Sequence, residues 1–366
     1  MRILLFDGSY LVMRSVLSSY DNELISPEYV KFIVTRMLIS ELSKSYEATK
    51  EQGYPIVAFD YGGSAFRKSM YPQYKADRVQ ADDDTTVLLM PDGEYQGIPI
   101  SDLKISSSEL FRIRHIYDGE EREYLDSINR LKLFRETREY VCNELNKIGI
   151  LGLKIHGYEA DDIGYLFSNF TSCKGTLVSD DHDWKLNLSN NYDLRRPIKD
   201  ETVTINSFNT MLGKLYESTN IPGPVLYRHM LALTGTHNNI IGYKGIGEAK
   251  AKDILTILLA NPELPLDDRL KLLNPKSKIH SKVIDDSSIY QFNYVIVGSD
   301  HIAIERNKIF DEILKQMDKV QRPNQFTYLA MCHNILSESL PELSQKYFSS
   351  YKYITKDDLK SVMMYK

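Results

Sequence analysis

Three short apolar segments, each followed at once by acidic residues, limit the folds that this chain can adopt. Apolar runs of this length, bounded by turn-forming residues, are typical of buried strands. In a parallel sheet flanked by helices, the ligand-binding crevice lies beyond the carboxyl ends of the strands. We therefore expect a mostly parallel α/β sheet whose acidic residues converge on one site. The apolar segments are residues 2–6, 55–59 and 176–179, and the acids that follow are Asp7, Asp60 and 180–183.

The segments between and after these strands predict the remaining organisation of the chain. A further strand is expected at 151–155, and 79–123 is expected to be a strand-and-loop insertion. Helical periodicity is found at 26–50, 124–148, 159–170, 207–217, 224–234, 247–260 and 285–298. We expect an α/β domain over 1–205 and a mainly helical region over 206–366. The last sixty or so residues are assigned as helical and structural.

Composition is that of a soluble globular protein without a membrane segment. Of the 366 residues, 42% are hydrophobic and 26% are charged. No apolar run approaches the roughly eighteen residues that a membrane span requires, and the N-terminus has no extended apolar region of the signal-peptide type. Cys142, Cys173 and Cys332 are widely separated, which favours buried thiols over a disulfide framework or a zinc site.

Two crowded acidic clusters predict a cation site. Glu159-Ala160-Asp161-Asp162 precedes a helical pattern, and Asp180-Asp181-His182-Asp183 follows the third strand. Carboxylates repel one another and gather where a cation compensates them, and Mg²⁺ prefers oxygen ligands together with substrate phosphate. The alternative is a solvated acidic surface. Glu159 and Asp162 share one helix face, and a helix N-terminus favours negative charge, so one of these acids is alternatively only a helix-start residue.

Basic and aromatic residues elsewhere suggest a nucleic-acid partner in spite of the net charge of −5. Many of the acidic residues belong to the predicted cation site, so the excess negative charge is local. Residues 66–78 combine Arg67, Lys75 and Arg78 with aromatic rings such as Tyr74. Bases stack on rings while cations neutralise phosphates. The alternative for this segment is a solvated basic helix.

A glycine hairpin before the helix at 247–260 predicts a second phosphate contact. Gly245 and Gly247 allow backbone N–H groups to approach an anion at a helix N-terminus. Lys244, Lys250 and Lys252 add positive charge beside it. DNA backbone phosphate is the expected ligand, and an ordinary helix-start turn is the alternative.

Together these motifs resemble those of the flap endonuclease/5′-3′ exonuclease family. The chain is similar in particular to bacteriophage 5′ nucleases of the T4 ribonuclease H and T5 exonuclease type, over roughly residues 1–78 and 124–260. The ordered set comprises Asp7-Gly8 with Arg14, Asp60, 66–78, 159–162, 179–184 and 245–247. The resemblance implies a PIN-like (Rossmann-like) α/β fold with a helical arch, enlarged here by 79–123, and a helix-hairpin-helix element at about 230–260.

The resemblance also implies roles for individual residues. It assigns Asp7, Asp60, Glu159, Asp161 and Asp162 to a first metal site, and Asp181 and Asp183 to a second, for which Asn238 is a further candidate ligand from this sequence. One Mg²⁺ or Mn²⁺ ion is expected, the second is left open, and K⁺ is a candidate at the hairpin. One ion would activate water and the other would stabilise the leaving oxygen.

Further assignments from the resemblance concern the substrate. It places Lys75 and Arg78 at the scissile phosphate as catalytic residues. It places Tyr74 where a ring stacks on a base. The remaining DNA contacts expected are Arg14, Arg67, Lys244, Gly245, Gly247, Lys250 and Lys252.

The sequence departs from the family where further carboxylates of the second metal site are expected. In their place stands Gly235-Thr236-His237-Asn238-Asn239. Asn238 offers a neutral oxygen, and His237 offers a nitrogen that Mn²⁺ accepts better than Mg²⁺. Other departures are His182, in place of a glycine, and Ala249, where a lysine is frequent.

Three functions are therefore weighed. The leading hypothesis is a metal-dependent 5′ nuclease of replication or repair, acting on 5′ flaps, 5′ ends or branched DNA and on RNA–DNA hybrids. The departures favour, as the alternative, a DNA-structure-binding factor with weak or no catalysis. A third is an RNA-directed ribonuclease, against which the DNA-type hairpin argues. We expect a monomer in the cytoplasm of a bacterial or phage-infected cell, with a single-strand-binding protein or sliding clamp as a further partner.

Overall fold

The computed structural model describes residues 1–21, 27–75, 85–89, 95–99, 120–236, 240–322 and 352–364. Two predicted site residues, Arg78 and Asn238, lie outside these ranges, as do Cys332 and much of the predicted arch. Within the described part of the chain, no helix is both long and apolar enough to cross a membrane.

Strands and helices alternate through the first half of the chain, and helices follow in the second. The strands are β1 Arg2–Asp7, β2 Gly53–Phe59, β3 Thr85–Leu89, β4 Tyr95–Pro99, β5 Leu151–Lys154, β6 Lys174–Val178, β7 Tyr192–Arg196 and β8 Glu201–Val203. The helices are α1 Gly8–Asp21, α2 Pro27–Thr49, α3 Ala65–Met70, α4 Glu120–Lys147, α5 Ala160–Phe170, α6 Ile205–Leu212, α7 Lys214–Thr219, α8 Gly223–Thr234, α9 Glu248–Leu258, α10 Leu266–Leu270, α11 His280–Asp285, α12 Ser287–Val297, α13 Asp300–Gln316 and α14 Lys356–Val362. Short 3₁₀ turns cover His182–Asn187 and Met317–Lys319.

The first of two compact units comprises Met1–Asp60, Val79–Ile155 and Asp311–Val362. Its strands lie in the order β5-β2-β1, and both pairings are parallel. The residues of β1 after Arg2 are all buried, which explains why the segment is apolar throughout rather than alternating. β1 and β2 are neighbours in register, with Asp7 opposite Ala58. Asp7 and Asp60 therefore follow adjacent parallel strands at the same edge, as predicted.

The second unit comprises Tyr61–Arg78, His156–Phe310 and Met363–Lys366. In it β6 pairs parallel with β7, and β8 pairs antiparallel with β7. Helix α5 packs on the 3₁₀ turn that follows β6. Gly164 permits this contact, since a Cβ at that position would lie 2.7 Å from Asn187 Nδ2 and 3.1 Å from Trp184 Cζ3. The close approach places the second acidic cluster beside the start of α5.

The predicted α/β class, with mostly parallel strands flanked by helices, is confirmed. The predicted helix at 207–217 is two helices, because Gly213 takes a left-handed φ of 56° and ends α6. Strands were expected within the insertion, and β3 and β4 pair there as an antiparallel hairpin.

Each of the two compact units is assembled from separate stretches of the chain. Segment 61–78 belongs to the second unit, and the chain returns to the first unit at Asp311. There the Gln316 side chain donates to Lys154 O over 2.7 Å and accepts from Lys154 N–H over 3.0 Å. These bonds satisfy backbone groups of β5 and tie a distant helix to the first unit. Such tertiary pairing leaves no boundary signal in the sequence.

Candidate metal centre and nucleic-acid interface

The start of α5 holds three carboxylates, Glu159, Asp161 and Asp162, which we call the acid cluster. One ligand oxygen from each lies within 4.8 Å of the others. Glu159 and Asp162 are buried, whereas the Asp161 side chain is 22% exposed. Glu159 is the N-cap residue of the helix, so the cluster lies where the helix dipole favours negative charge.

Within the acid cluster, Asp162 has both carboxylate oxygens occupied by donors. Its Oδ2 accepts the Glu159 N–H over 3.1 Å, which is a helix-start contact. Its Oδ1 accepts from Ser299 Oγ and from Arg67 Nη2, each over 3.0 Å. The prediction that one of these acids acts at the helix start is confirmed for Asp162, and that acid also ties the helix to Arg67.

Arg67 contacts all three members of the acid cluster. Its side chain is 3% exposed, and Nη1 lies 2.6 Å from Glu159 Oε2 while Nη2 lies 3.4 Å from Asp161 Oδ2. Nε donates to Ile296 O over 3.2 Å. This placement differs from the DNA contact expected of Arg67, because a buried guanidinium paired with carboxylates does not face a phosphate backbone.

The next residues of the same basic segment also point to the acid cluster. Tyr74 OH donates to Glu159 Oε2 over 3.0 Å, and Lys75 Nζ donates to Glu159 Oε1 over 2.7 Å. The Tyr74 ring is buried among Ile240, Ile296 and Val297. It therefore lies in an apolar cluster rather than where a base would stack, which differs from the prediction. Lys75 has a left-handed φ of 57°, a conformation rare for a residue with a side chain.

Charge and burial shift the pKa values of Glu159 and Asp161 in opposite directions. Although burial opposes ionisation of Glu159, the charges of Lys75 and Arg67 lower its pKa to about 2. Burial raises the pKa of Asp161 well above its usual range, against the charge of Arg67, and the Asp162 and Glu159 carboxylates add to the rise. A further cation near Asp161 would favour its ionised form. The oxygen donors present therefore fit a hard divalent ion.

The second acidic cluster lies close to the first. Asn187, at the end of the 3₁₀ turn, donates from Nδ2 to Asp161 O over 2.9 Å. Asp183 and Asp161 line one small cavity of about 10 Å³, together with Thr236. Burial, followed by the charge of Asp181, raises the pKa of Asp183 to about 6. Within the second unit, the structure thus brings Asp183 close to the acid cluster.

The remaining acids of the second cluster have different surroundings. Asp181 is exposed, and its Oδ1 accepts the Asp183 N–H over 3.4 Å. Asp180 has a structural role: its Oδ2 accepts the Ile198 N–H over 2.9 Å, and its backbone carbonyl accepts from Arg196 Nη2 over 3.2 Å.

Three predicted site residues belong to the first unit. Asp7 is 6% exposed, and its Oδ1 accepts the Tyr10 N–H over 3.0 Å. The Asp60 N–H donates to Ser9 Oγ over 3.1 Å. Arg14 Nη1 donates to Tyr10 OH over 2.7 Å. The strand ends therefore present two carboxylates at one edge, as the apolar segments predicted.

The predicted hairpin lies between α8 and α9. Gly245 has a φ of 84°, and the space where a Cβ of Gly247 would lie is open, so backbone groups are accessible there. Lys244 and Lys250 are exposed, and Lys250 Nζ donates to Gly245 O over 2.9 Å. Lys252, two residues further along α9, pairs with Glu248 at the start of that helix.

Several residues near the acid cluster and the hairpin have no recognisable sequence signal. Lys282 Nζ reaches Lys244 O over 2.5 Å and adds charge to the hairpin. Ser299 bonds the acid cluster, and the His301 ring stacks on Phe66 with centroids 4.3 Å apart. His301 Nε2 lies 3.8 Å from Asp162 Oδ1. Ser299 is 137 positions from Asp162, so no local motif could have indicated this contact.

Comparison with known proteins identifies the fold. Neither a protein-family model nor a curated protein matches the sequence. Solved structures do match: the T5 D15 protein co-crystallised with metal ions has 20% identity and a TM-score of 0.53. T5 5′-exonuclease with bound divalent zinc ions has 20% identity and a TM-score of 0.54. Each match covers 94% of this chain and 100% of the other.

The chain has the T5-type 5′ nuclease fold. A third match is the bacteriophage T5 D15 flap endonuclease in a pseudo-enzyme-product complex with DNA and metal ions, with 18% identity and a TM-score of 0.52. It covers 94% of this chain and 100% of that one. These matches agree with the resemblance drawn from the motifs, and they establish the T5-type 5′ nuclease fold as the framework of the acid cluster.

Proposed function

We propose that this protein is a divalent-metal-dependent nuclease that hydrolyses DNA phosphodiesters at 5′ flaps, 5′ ends or branched duplexes. The observation that supports this most strongly is the buried acid cluster within a T5-type 5′ nuclease fold. The solved structures of that fold are of proteins named as exonuclease and flap endonuclease, with metal ions and, in one case, DNA.

Glu159 and Asp161 are the members of the acid cluster that would hold a Mg²⁺ or Mn²⁺ ion. Asp162 receives a backbone N–H and the Ser299 hydroxyl as well as Arg67, so its role is to orient the others, whereas Oε1 of Glu159 is bonded by the partly exposed Lys75. A bound ion would supply Lewis-acid activation of water and charge stabilisation at the phosphate. Asp7 and Asp60 stay predicted ligands, and Asp183 is the predicted ligand for a second ion.

Lys75 would stabilise negative charge on the reacting phosphate, since its ammonium already lies at the acid cluster. The hairpin would hold duplex DNA through backbone N–H groups and the exposed Lys244 and Lys250. We further propose K⁺ at the hairpin, RNA–DNA hybrid as a further substrate, and a cytoplasmic monomer that works with a single-strand-binding protein or sliding clamp.

The test is cleavage of a 5′-labelled flap substrate with Mg²⁺ or Mn²⁺, in the wild type and in two matched variants. Asp161→Asn replaces a carboxyl group of the acid cluster by an amide and is expected to reduce cleavage to background. Asp180→Asn makes the same replacement where the residue faces Arg196, and is expected to retain cleavage. Undiminished cleavage by Asp161→Asn, or equal losses in both variants, would contradict the site assignment.

One observation favours a second candidate, a DNA-structure-binding factor with weak or no catalysis. Thr236 lines the same small cavity as Asp161 and Asp183, at a position where the resemblance places a segment with further carboxylates. A second ion would have fewer charged ligands there. Flap binding without cleavage across a full Mg²⁺ and Mn²⁺ titration would support this candidate, and metal-stimulated cleavage would exclude it.

A further inference from the structure

Two cations contact Glu159, and their environments differ. Arg67 approaches Oε2 from a site where its side chain is 3% exposed, while Lys75 approaches Oε1 with 20% of its side chain exposed. From the sequence, Arg67 and Lys75 were expected to belong to one basic segment that contacts DNA. The structure separates them into a buried cation and a partly exposed one.

The contacts of Arg67 constrain each acid of the cluster. Nη1 bonds Glu159, and Nη2 lies within 3.4 Å of both Asp161 and Asp162. Ser299 Oγ receives from Nη2 over 3.2 Å and donates to Asp162 Oδ1, which closes a ring of hydrogen bonds. Nε is anchored on Ile296 O. A planar guanidinium with donors in fixed directions can hold several carboxylates at once, whereas an ammonium acts as a point charge.

The surroundings also oppose the departure of Arg67. A buried guanidinium that left the acid cluster would abandon buried carboxylates, which is costly because unpaired buried charges are poorly solvated. Lys75 is less restricted, because its ammonium is partly exposed and water can solvate it when it moves. A divalent ion that approaches Glu159 would therefore replace Lys75 rather than Arg67.

We propose that Arg67 is a positioning residue that permanently holds the acid cluster in the geometry a divalent ion requires, and that Lys75 is the cation the ion displaces from Glu159. The proposal deepens the nuclease function and rests on it only for the cleavage readout. It predicts opposite effects for the two cations. A simple neutralising role for Arg67 would predict the same effect for both, namely tighter metal binding when either is removed.

The experiment measures Mn²⁺ binding to the full-length protein by the electron paramagnetic resonance signal of free Mn²⁺. Arg67→Lys keeps the positive charge but loses the planar guanidinium with its several N–H donors. The Mn²⁺ dissociation constant of this variant is expected to rise roughly 10- to 100-fold, as for other residues that orient metal ligands. Lys75→Ala is expected to lower that constant. Arg67→Ala removes the guanidinium altogether and, in contrast to Lys75→Ala, is expected to raise the Mn²⁺ dissociation constant. Circular dichroism reports whether each protein is folded.

A cleavage titration separates positioning from general damage. In Arg67→Lys the Mn²⁺ concentration for half-maximal flap cleavage should rise by the same factor as the dissociation constant, and this rise should exceed any fall in kcat at saturating Mn²⁺. A merely structural defect would lower kcat and leave the metal midpoint unchanged.

Three results would overturn the proposal: a folded Arg67→Lys protein that binds Mn²⁺ as tightly as the wild type, weaker Mn²⁺ binding by Lys75→Ala, or no Mn²⁺ binding by the wild type. Failure of the nuclease function is distinguishable, because it would show as absent cleavage while the opposite shifts in Mn²⁺ binding persist.

Discussion

Replacing Gly164 by alanine should separate the two acidic clusters. Gly164 lies on α5 and faces the 3₁₀ turn at His182–Asn187. An added Cβ would lie 2.7 Å from Asn187 Nδ2, the same atom that donates to Asp161 O. It would also lie 3.1 Å from the ring of Trp184, which is 2% exposed and has little room to move. Either the Asn187 side chain must move, which breaks its bond to Asp161 O, or the turn that bears Asp183 must shift away from α5, and the buried Trp184 ring favours the shift of the turn.

The magnitude follows from three opposing contributions. Alanine in a helix interior is favoured over glycine by about 1 kcal/mol. Overpacking a tight contact costs about 1–3 kcal/mol, and losing the Asn187 hydrogen bond costs about 1 kcal/mol more. The net expectation is a loss of about 1–3 kcal/mol in the free energy of unfolding. Metal-stimulated cleavage should fall as well, since Asp183 would be displaced from Asp161.

Urea denaturation of the wild type, Gly164→Ala, Asn187→Ala and the double variant would measure this effect. Because Asn187→Ala removes the nearest atom, Gly164→Ala should cost at least about 1 kcal/mol less in that background. Asn169→Ala, exposed on the same helix, is the control and should change stability by less than about 0.5 kcal/mol. A Gly164→Ala protein as stable as the wild type, or an equal cost in both backgrounds, would refute the steric reasoning.

Two further predictions concern pH and salt. Burial lowers the pKa of His229 to about 3, so between about pH 6.5 and 3 the unfolded chain binds a proton that the folded chain excludes, and stability falls as pH falls. The wild type should lose about 2–3 kcal/mol from this residue between pH 7 and 4.5 in urea denaturation, and His229→Gln should lose correspondingly less; equal losses would contradict the assignment. Lys282→Ala should weaken flap binding and reduce the slope of log K against log[salt] by about 0.9 in fluorescence anisotropy. Lys271→Ala, which removes an exposed lysine paired with Asp268, is its control, and an equal change in both would exclude a specific role for Lys282.

Much of the fold could be predicted because its signals are local. An apolar segment such as residues 2–6 is buried along its length whatever it pairs with, and helices such as α2, α4 and α5 were predicted from periodicity to within a few residues, whereas α1 was not predicted. The start of α5 was predicted for the same reason, since clustered acids favour a helix N-terminus. The separate stretches that make up each compact unit could not be predicted, because they depend on contacts such as that of Gln316 with Lys154, which are 162 positions apart.

The sequence by itself determined the buried strands β1, β2, β5 and β6, the acidic residues that follow three of them, and the existence of the acid cluster. Only the tertiary structure decided which partners those acids have. Arg67 and Tyr74 were predicted to face DNA, yet both face Glu159, 92 and 85 positions away. The physical reason is that the local sequence around a basic or aromatic residue is the same whether its side chain contacts a phosphate or a carboxylate. Burial and distance select the partner, and both arise only when the chain has folded.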